Sequence, residues 1–465
     1  MSPFDNWSPL DILRKDGIGT NAGNMVFANS VMRALMTDHT EIHTINTAKD
    51  LTPENLERIN CEYDCVVLPF ANAFRISFQH RLKKITEFVR QLKIPCVVVG
   101  VGISTPLRNS PDKVNVFDET VTEFVKAILE KSVMIGTRGQ VTSDYLTRLG
   151  FKEGRDHCVI GCPSMFWYGD KLPEMNPKEL DKNSAVSVNW KMDLPEEIHR
   201  FIYRNVGYFE NFHYVPQVTD EIRLMYYGVP LPDGKYKRIP EGYPSRADHP
   251  WYLAGKARSF LNMSSWFEYM KGKDFSFGSR IHGNITAVLS GTPCFIVVSD
   301  YRIAELAQYH HIPHIDYRDL KEDDNIFDFY EKADYSKVYE GHKERFENYR
   351  DFLEKNGLEH IFGTPLEDNP PYDQKIKELS LPSALKPFFA ADHQEQADRL
   401  AQLHQGYLDL RQDLDQKSRE LRQERADLQK KYDSVKHYEA FLKYHNVNRG
   451  LRWLSRHMGE KKTID

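Results

Sequence analysis

Arg280 and His282 stand two residues apart in FSFGSRIHGNITAVLSGTPCFIVVSD (275–300), between two apolar runs. In an extended segment, residues i and i+2 share a face, so the spacing predicts that both side chains look the same way from the mouth of a strand. A guanidinium binds carboxylate or phosphate through a planar fork, and an imidazole exchanges a proton near neutral pH. Gly283 would allow close approach of a ligand, and Asn284 is placed to cap the helix of ITAVLSG. The chemistry this composes is anion capture coupled to proton transfer. The plain alternative is a structural pair at a surface turn.

Other candidate residues also fall where strands should end, the place where open α/β sheets gather their ligands. Arg138 follows the strand-like run SVMIG (132–136) and opens the helical pattern of GTRGQVTSDYLTRLG (136–150). An arginine there is ordinarily salt-bridged or solvent-facing, and it gains weight as a partner for Arg280 and His282. In GIGTNAGNMVFANSVMRALM (17–36), Gly19, Ala22 and Gly23, with Asn21 and Asn24 beside them, feed an amphipathic helix whose first N–H groups suit an anion. Many such turns bind nothing. VVVGVGISTP (97–106) carries Gly100 and Gly102 but lacks the third glycine and following helix of a dinucleotide fingerprint, which argues against NAD. Gly102 remains a point of close backbone approach to a substrate. His157, Cys158 and Cys162, and the trio His310, His311 and His314, lack the spacing or the carboxylates of a metal site, so no metal is expected.

The elements that must position these residues are legible as alternating strands and helices. DCVVL (64–68) and PCVVVGV (95–101) are short apolar runs suited to parallel strands buried on both faces. Between them Leu82, Ile85, Phe88, Val89 and Leu92 mark one face of a helix. The alternation predicts a doubly wound α/β sheet over residues 1–175 and a second α/β unit over 176–372, ending in a helix at 343–356. Residues 226–260, rich in Tyr, Pro and Gly, read as a long loop or lid. A Pro-rich linker (373–392) leads to 393–442, where Leu400, Tyr407, Leu414, Leu421, Leu428 and Val435 recur every seventh residue. Leu403 and Leu410 fill the intervening positions, but Lys417, Glu424 and Lys431 follow, giving a coiled-coil pattern that turns half-polar. A long solitary helix is the alternative. The basic tail 443–465 interleaves Arg449, Arg452, Arg456 and Lys461 with Leu451, Trp453 and Leu454, a pattern that suits an anionic membrane surface or a frayed cationic end.

Composition narrows the functional classes. A net charge of −5 argues against a general nucleic-acid binder. The polar C-terminal segment accounts for a mean hydropathy of −0.58 beside 40% apolar residues. No signal-peptide or membrane-spanning pattern is present, so the expected location is cytoplasmic, with peripheral contact at the inner face of the plasma membrane through the tail. Six cysteines in such a chain do not make a disulfide framework.

At SRIHGNITAVLSGTPCFIVVSDYRIAEL the chain resembles the signature of the polysaccharide pyruvyl transferase family. GTRGQVTSDYLTRLG looks like the family's second block, and GTNAGN stands where an Asn-x-Gly-Asp element is usual, with Asn24 in place of Asp. The resemblance implies two Rossmann-like domains in a GT-B-like arrangement and transfer of a pyruvyl group from phosphoenolpyruvate to a sugar, as a ketal on two hydroxyls. The acceptor would be a cell-envelope glycan or its lipid-linked precursor in a bacterium. It further implies Arg138 and Arg280 as an anion clamp and His282 as general acid, with no cofactor beyond the phosphoenolpyruvate donor. LPFANAFR (68–75) replaces the Gly-rich turn of other members, which turns attention to Asn72 and Arg75. Two other functions stay open. One is a nucleotide-sugar glycosyltransferase with Glu305 as ribose ligand. The other is a non-catalytic scaffold that works through the coiled coil, whose expected partner is a second copy of the chain or another protein.

Overall fold

A computed structural model describes residues 3–5, 7–47, 50–105, 107, 114–236, 238–363, 369–444 and 452–453. The chain divides into a compact body, Met1–Gln396, and a second unit, Ala397–Asp465.

Every strand ladder among the described residues of the body is parallel. β1 (Val66–Pro69) pairs with β2 (Cys96–Val99), and β3 (Ile135–Thr137) pairs with β4 (His157–Val159). A bridge between Val101 and Thr137 joins the two pairs. A five-stranded sheet follows, made of β5 (Val186–Asn189), β6 (Phe212–Tyr214), β7 (Phe275–Gly278), β8 (Cys294–Val298) and β9 (His314–Asp316), in the order β6-β5-β7-β8-β9. Parallel strands need crossover connections, and the helices that supply them cover the sheet faces, so the strands are continuous apolar runs. All four residues of β2, β5 and β7 are buried.

The helical patterns read within 77–93, 121–130 and 136–150 appear as Gln79–Gln91, Asp118–Leu129 and Gln140–Arg148. They cover one face of the first sheet, with Leu82, Phe88, Val121, Phe124 and Leu146 in its core. Three strands escaped the sequence pattern: β4, β6 and β9 are three residues each, too short for period-two alternation to show. β9 contains His314, in a stretch that reads as a Pro-interrupted loop. Past the end of the helix Thr219–Tyr227, the described residues up to 260 are loop with one short helix, Pro250–Leu253. They do not form a free flap, because Tyr243 and Tyr252 are buried and the Trp190 and Tyr243 rings meet edge to face at 4.8 Å.

The helix expected at 343–356 forms as His342–Lys355, but it packs on the first sheet, not the second. Its Phe346, Tyr349, Phe352 and Leu353 share a core with Val31, Val97, Val99 and Ile160. The chain thus returns to close the open face of the sheet it built first. The fit is tight at Gly136, where an added Cβ would lie 2.4 Å from Ile160 Cδ1 and 3.1 Å from Phe352 Cζ.

In the second unit, the helix His393–Tyr444 runs for 52 residues. Leu400, Tyr407, Leu414, Leu421, Leu428 and Val435 are each at least 53% exposed along it. No helix among the described residues is long and apolar enough to cross a membrane. Of the basic tail, Lys443 and Tyr444 at the end of the long helix and Arg452 and Trp453 are described, so the surface-binding expectation for Arg449, Leu451, Leu454, Arg456 and Lys461 lies outside the described residues.

Phe352→Ala should destabilise the body by about 3–5 kcal/mol, because it opens a cavity between the returning helix and the first sheet. Chemical denaturation followed by circular dichroism measures this, and a loss below about 1 kcal/mol would show that the helix is not part of that core.

Candidate active site

Arg138 directly follows β3, where its N–H donates to the Val101 carbonyl at 2.9 Å. Its side chain has no exposed surface. Nε–H donates to the Gly100 carbonyl at 3.2 Å, and the guanidinium carbon lies 4.8 Å from the centroid of the Phe27 ring. Nη1 and Nη2 are buried without a hydrogen-bond partner. Burial lowers the guanidinium pKa to about 10, and nearby Arg302 pushes the same way, while Cys162, Glu305 and Asp300 oppose. The group is still a cation at neutral pH. Leaving those two donors unpaired costs free energy that a bound anion would recover.

Gly102 and Glu305 wall this arginine. A Cβ on Gly102 would come within 3.1 Å of Arg138 Cδ and 3.2 Å of Glu305 Oε1, so the glycine makes room for protein side chains. The Glu305 carboxyl accepts from Thr142 N–H and Thr142 Oγ1–H, both at 2.9 Å, and Thr142 Oγ1 in turn accepts from Ile103 N–H at 3.0 Å. Glu305 therefore joins the Tyr301–Tyr309 helix to the first turn of Gln140–Arg148. Its oxygens are committed there, so it is not the free ribose ligand that a nucleotide sugar would need. Burial raises its pKa to about 7, against the lowering effect of the Thr142 bonds and of Arg138.

The Arg-x-His motif is arranged differently from the expectation of a shared face. β7 ends at Gly278, Arg280 is the N-cap, and the helix Ile281–Val288 takes His282 into its first turn. Strand alternation stops at the cap, so the two side chains meet different neighbours. Arg280 Nε–H donates to the Trp190 carbonyl and Nη2 to Glu221 Oε2, both at 3.1 Å, in an ion pair 6% and 2% exposed. Tyr243 Oη–H donates to the other Glu221 oxygen at 2.6 Å. Arg280 is thus a paired, positioning group in this state. Asn284 does not cap the helix from outside: it lies within it, fully buried, its Oδ1 accepting from Ser276 Oγ–H at 3.0 Å and Asn189 Nδ2–H at 3.1 Å. It fastens β5, β7 and the helix together. Gly283 makes room for Gln217, whose Nε2 would lie 2.7 Å from an added Cβ.

His282 faces the Arg138 side. An added Cβ on Gly23 would stand 2.7 Å from its Nδ1, its Nε2 lies 4.0 Å from Cys162 Sγ, and its ring centroid is 6.4 Å from that of Phe27. Burial, then Arg138 and Arg302, hold its pKa well below the usual histidine value, so the imidazole is neutral before ligand arrives. Gly23 is required by close approach of the ring. Its neighbours serve the loop: Asn21 Oδ1 caps the helix Ala22–Leu35 by accepting from Gly23 N–H at 2.9 Å, and Asn24 Nδ2–H donates to the Gly19 carbonyl at 2.6 Å.

Of the residues singled out by sequence, the structure brings Arg138, His282 and Gly102 together with Glu305. Asn21, Asn24, Gly283, Asn284 and Arg280 hold backbone or side chains around them. Cys162, Phe27, Lys191, Asp300 and Arg302 also face the site. Only Cys162 carried a signal, and its histidine neighbour is 120 residues away in sequence. Among the described residues no group of three or more His, Cys, Asp or Glu is placed to hold a metal. His310 accepts from Cys162 N–H at 2.9 Å, and His157 Nδ1 contacts Ser143 Oγ at 3.1 Å.

Parallel strands whose ends carry a buried arginine with two unpaired nitrogens beside a histidine define an α/β protein with a cation at its strand ends. More narrowly, residues 6–301 match the family model "Polysaccharide pyruvyl transferase", and the chain belongs to that family of transferases. No curated protein matches the chain. Among solved structures, an uncharacterised Klebsiella pneumoniae protein is similar at 14% identity, covering 66% of this chain and 97% of its own, with a TM-score of 0.35. The S. aureus MnaA–UDP structure is similar at 13% identity, covering 73% and 79%, with a TM-score of 0.33. Scores this low carry no weight for the fold or the ligand.

The Glu305 latch should weaken with rising pH. A carboxyl whose pKa is raised from 4.5 to about 7 on folding contributes stability that is fully present below the lower value and is lost as pH rises through the higher one. Urea midpoints between about pH 5.5 and about pH 8 should fall more steeply for the wild type than for Glu305→Gln, which keeps an acceptor for Thr142 N–H but cannot ionise. Equal slopes would remove Glu305 from the titration.

Proposed function

We propose that the protein transfers the pyruvyl group of phosphoenolpyruvate to two hydroxyls of a sugar in a polysaccharide or its precursor. The observation that carries this is Arg138, fully buried, with both Nη atoms unpaired beside His282, in a chain of this family. Arg138 would bind an anionic group of the donor. His282 would protonate the methylene carbon, making C2 electrophilic. One sugar hydroxyl then attacks C2, the C2–O bond to phosphate breaks, and the second hydroxyl closes the ketal. One hydroxyl proton replaces the proton taken from His282, and the other leaves with phosphate.

The neutral state of His282 fits this sequence. A general acid needs a proton, and the field of Arg138 and Arg302 opposes one in the empty site. An incoming donor with up to three negative charges reverses the sign of that field, so the imidazole would charge as the substrate arrives. Protonation is thereby tied to occupancy. Arg280 would act through position, its Glu221 pair holding the cap of the helix that carries His282.

The 52-residue helix serves assembly in this proposal, its exposed sevenfold apolar stripe pairing with a second copy. A chain truncated before residue 393 should keep turnover in solution and sediment as a smaller species than the full chain.

Binding of phosphoenolpyruvate should take up a proton. Calorimetric enthalpies measured near neutral pH should differ between buffers of different ionisation enthalpy, and His282→Gln should abolish both that difference and phosphate release in the presence of an acceptor glycan. A folded His282→Gln protein with full turnover would remove the imidazole as acid.

A further inference from the structure

Arg280 is held by Glu221 and the Trp190 carbonyl, so the anion site needs its second cation from elsewhere. The charge of Arg302 acts on both Arg138 and Arg75, and both Arg75 and Arg302 have a buried Nε without a partner. Arg75 follows the turn after β1, and Arg302 lies in the first turn of Tyr301–Tyr309. The backbone between them explains their proximity. Phe74 N–H donates to the Gly102 carbonyl at 3.4 Å and Ser104 N–H to the Phe74 carbonyl at 3.1 Å, so the Arg75 loop runs beside the exit of β2. The same exit segment accepts Tyr301 N–H at the Thr105 carbonyl, at 3.1 Å. Residues 101–105 therefore fasten both arginine-bearing segments to one rim, and a Cβ added at Gly102 on that segment would lie 3.1 Å from Arg138 Cδ.

Counter-charge is short at this rim. Arg75 Nε and Arg302 Nε are buried without hydrogen-bond partners. Asp300 is the carboxylate in reach of Arg302, at 3.5 Å, and its other oxygen already caps the helix through Ile303 N–H at 3.0 Å. Asp300 also faces Lys191, so one carboxylate is shared by two cations. Arg302 is the neighbouring charge that most disfavours a proton on Arg75, after burial itself. Two guanidinium groups that repel each other, each with an idle donor, are completed by a dianion rather than by a single carboxylate.

We infer that Arg75 and Arg302 form a phosphoryl pocket, gripping the phosphate of the donor from two sides, while Arg138 takes its carboxylate beside His282. A phosphate ester presents three terminal oxygens, enough to receive both forks, and a carboxylate matches the paired Nη atoms of Arg138. The same contacts strengthen as the C2–O bond breaks and charge gathers on the leaving phosphate, so the pocket favours departure as well as binding. The donor identity rests on the function proposed above; the pocket itself requires only a phosphoryl dianion, and inorganic phosphate is also the reaction's product.

Calorimetry on the full chain tests this with phosphoenolpyruvate and, separately, with inorganic phosphate as competitor. Arg75→Ala and Arg302→Ala should each weaken phosphoenolpyruvate by about tenfold or more, the scale of one charged hydrogen bond, and abolish competition by phosphate. KM for the donor should rise in both, with KM for the acceptor unchanged. Arg75 is only partly buried and lies on a loop, so its variant reports on the pocket even if Arg302→Ala does not fold. Wild-type affinity for both anions in folded variants would overturn the pocket, as would variants that lose phosphoenolpyruvate but still bind phosphate. If the wild type binds phosphate through these arginines and never phosphoenolpyruvate, the pocket stands and the donor assignment falls; if it binds neither, both fall.

Discussion

A guanidinium with no exposed surface and two unpaired nitrogens lies at the end of β3, and the surrounding structure is organised around tolerating it. Moving such an ion out of water is opposed by roughly several kcal/mol even after relaxation. Partial compensation comes from the Gly100 carbonyl, the face of Phe27 and the fields of Asp300 and Glu305. None of these is a full partner. An anion would complete this arrangement, and the charges around it are set by the same burial. Burial raises the Glu305 pKa to about 7, so near neutral pH it offsets the cation only in part, and burial together with the same positive field keeps His282 neutral.

The Arg-x-His motif divides its labour across a helix cap. Arg280 turns to Glu221, which also receives Tyr243 from the long 226–260 segment, so one buried carboxylate secures the cap and pins that loop. His282, two residues later and already helical, turns to Gly23, Cys162 and Phe27. The two side chains of the motif therefore serve different partners, Arg280 a carboxylate and His282 the side of Arg138. Glycines at 23 and 102 then let the Ala22–Leu35 helix and the β2 exit come up against the functional side chains.

Much of this was legible in the residues. Continuous apolar runs bounded by Pro and Gly marked β1, β2 and β8, and the amphipathic face through Leu82 marked a helix that covers the first sheet. Arg138 and His282 stood out because a charged or titratable residue directly after a buried strand is unusual. Arg302 and Lys191 did not, because a cation near a helix start reads as solvated surface until its neighbours are known. Asn284 was misplaced for a related reason: asparagine at a strand-to-helix turn is a common cap, and only the packing of β5 against β7 puts a second role, fastening three elements, within its reach.

Sequence by itself determined the local periods, the family and the two groups at the heart of the site, because each depends on residue types close together in the chain. The tertiary structure decided which charges are paired. Glu221 and Arg280 are 59 residues apart, Thr142 and Glu305 are 163, and both pairs exist only because parallel strands bring distant loops to one edge. The return of His342–Lys355 to the first sheet was equally invisible, since its apolar face fits either sheet and only the completed core chooses between them. Whether a buried arginine is a structural ion pair or a waiting anion site depends on where the nearest carboxylate ends up, and that is a property of the fold.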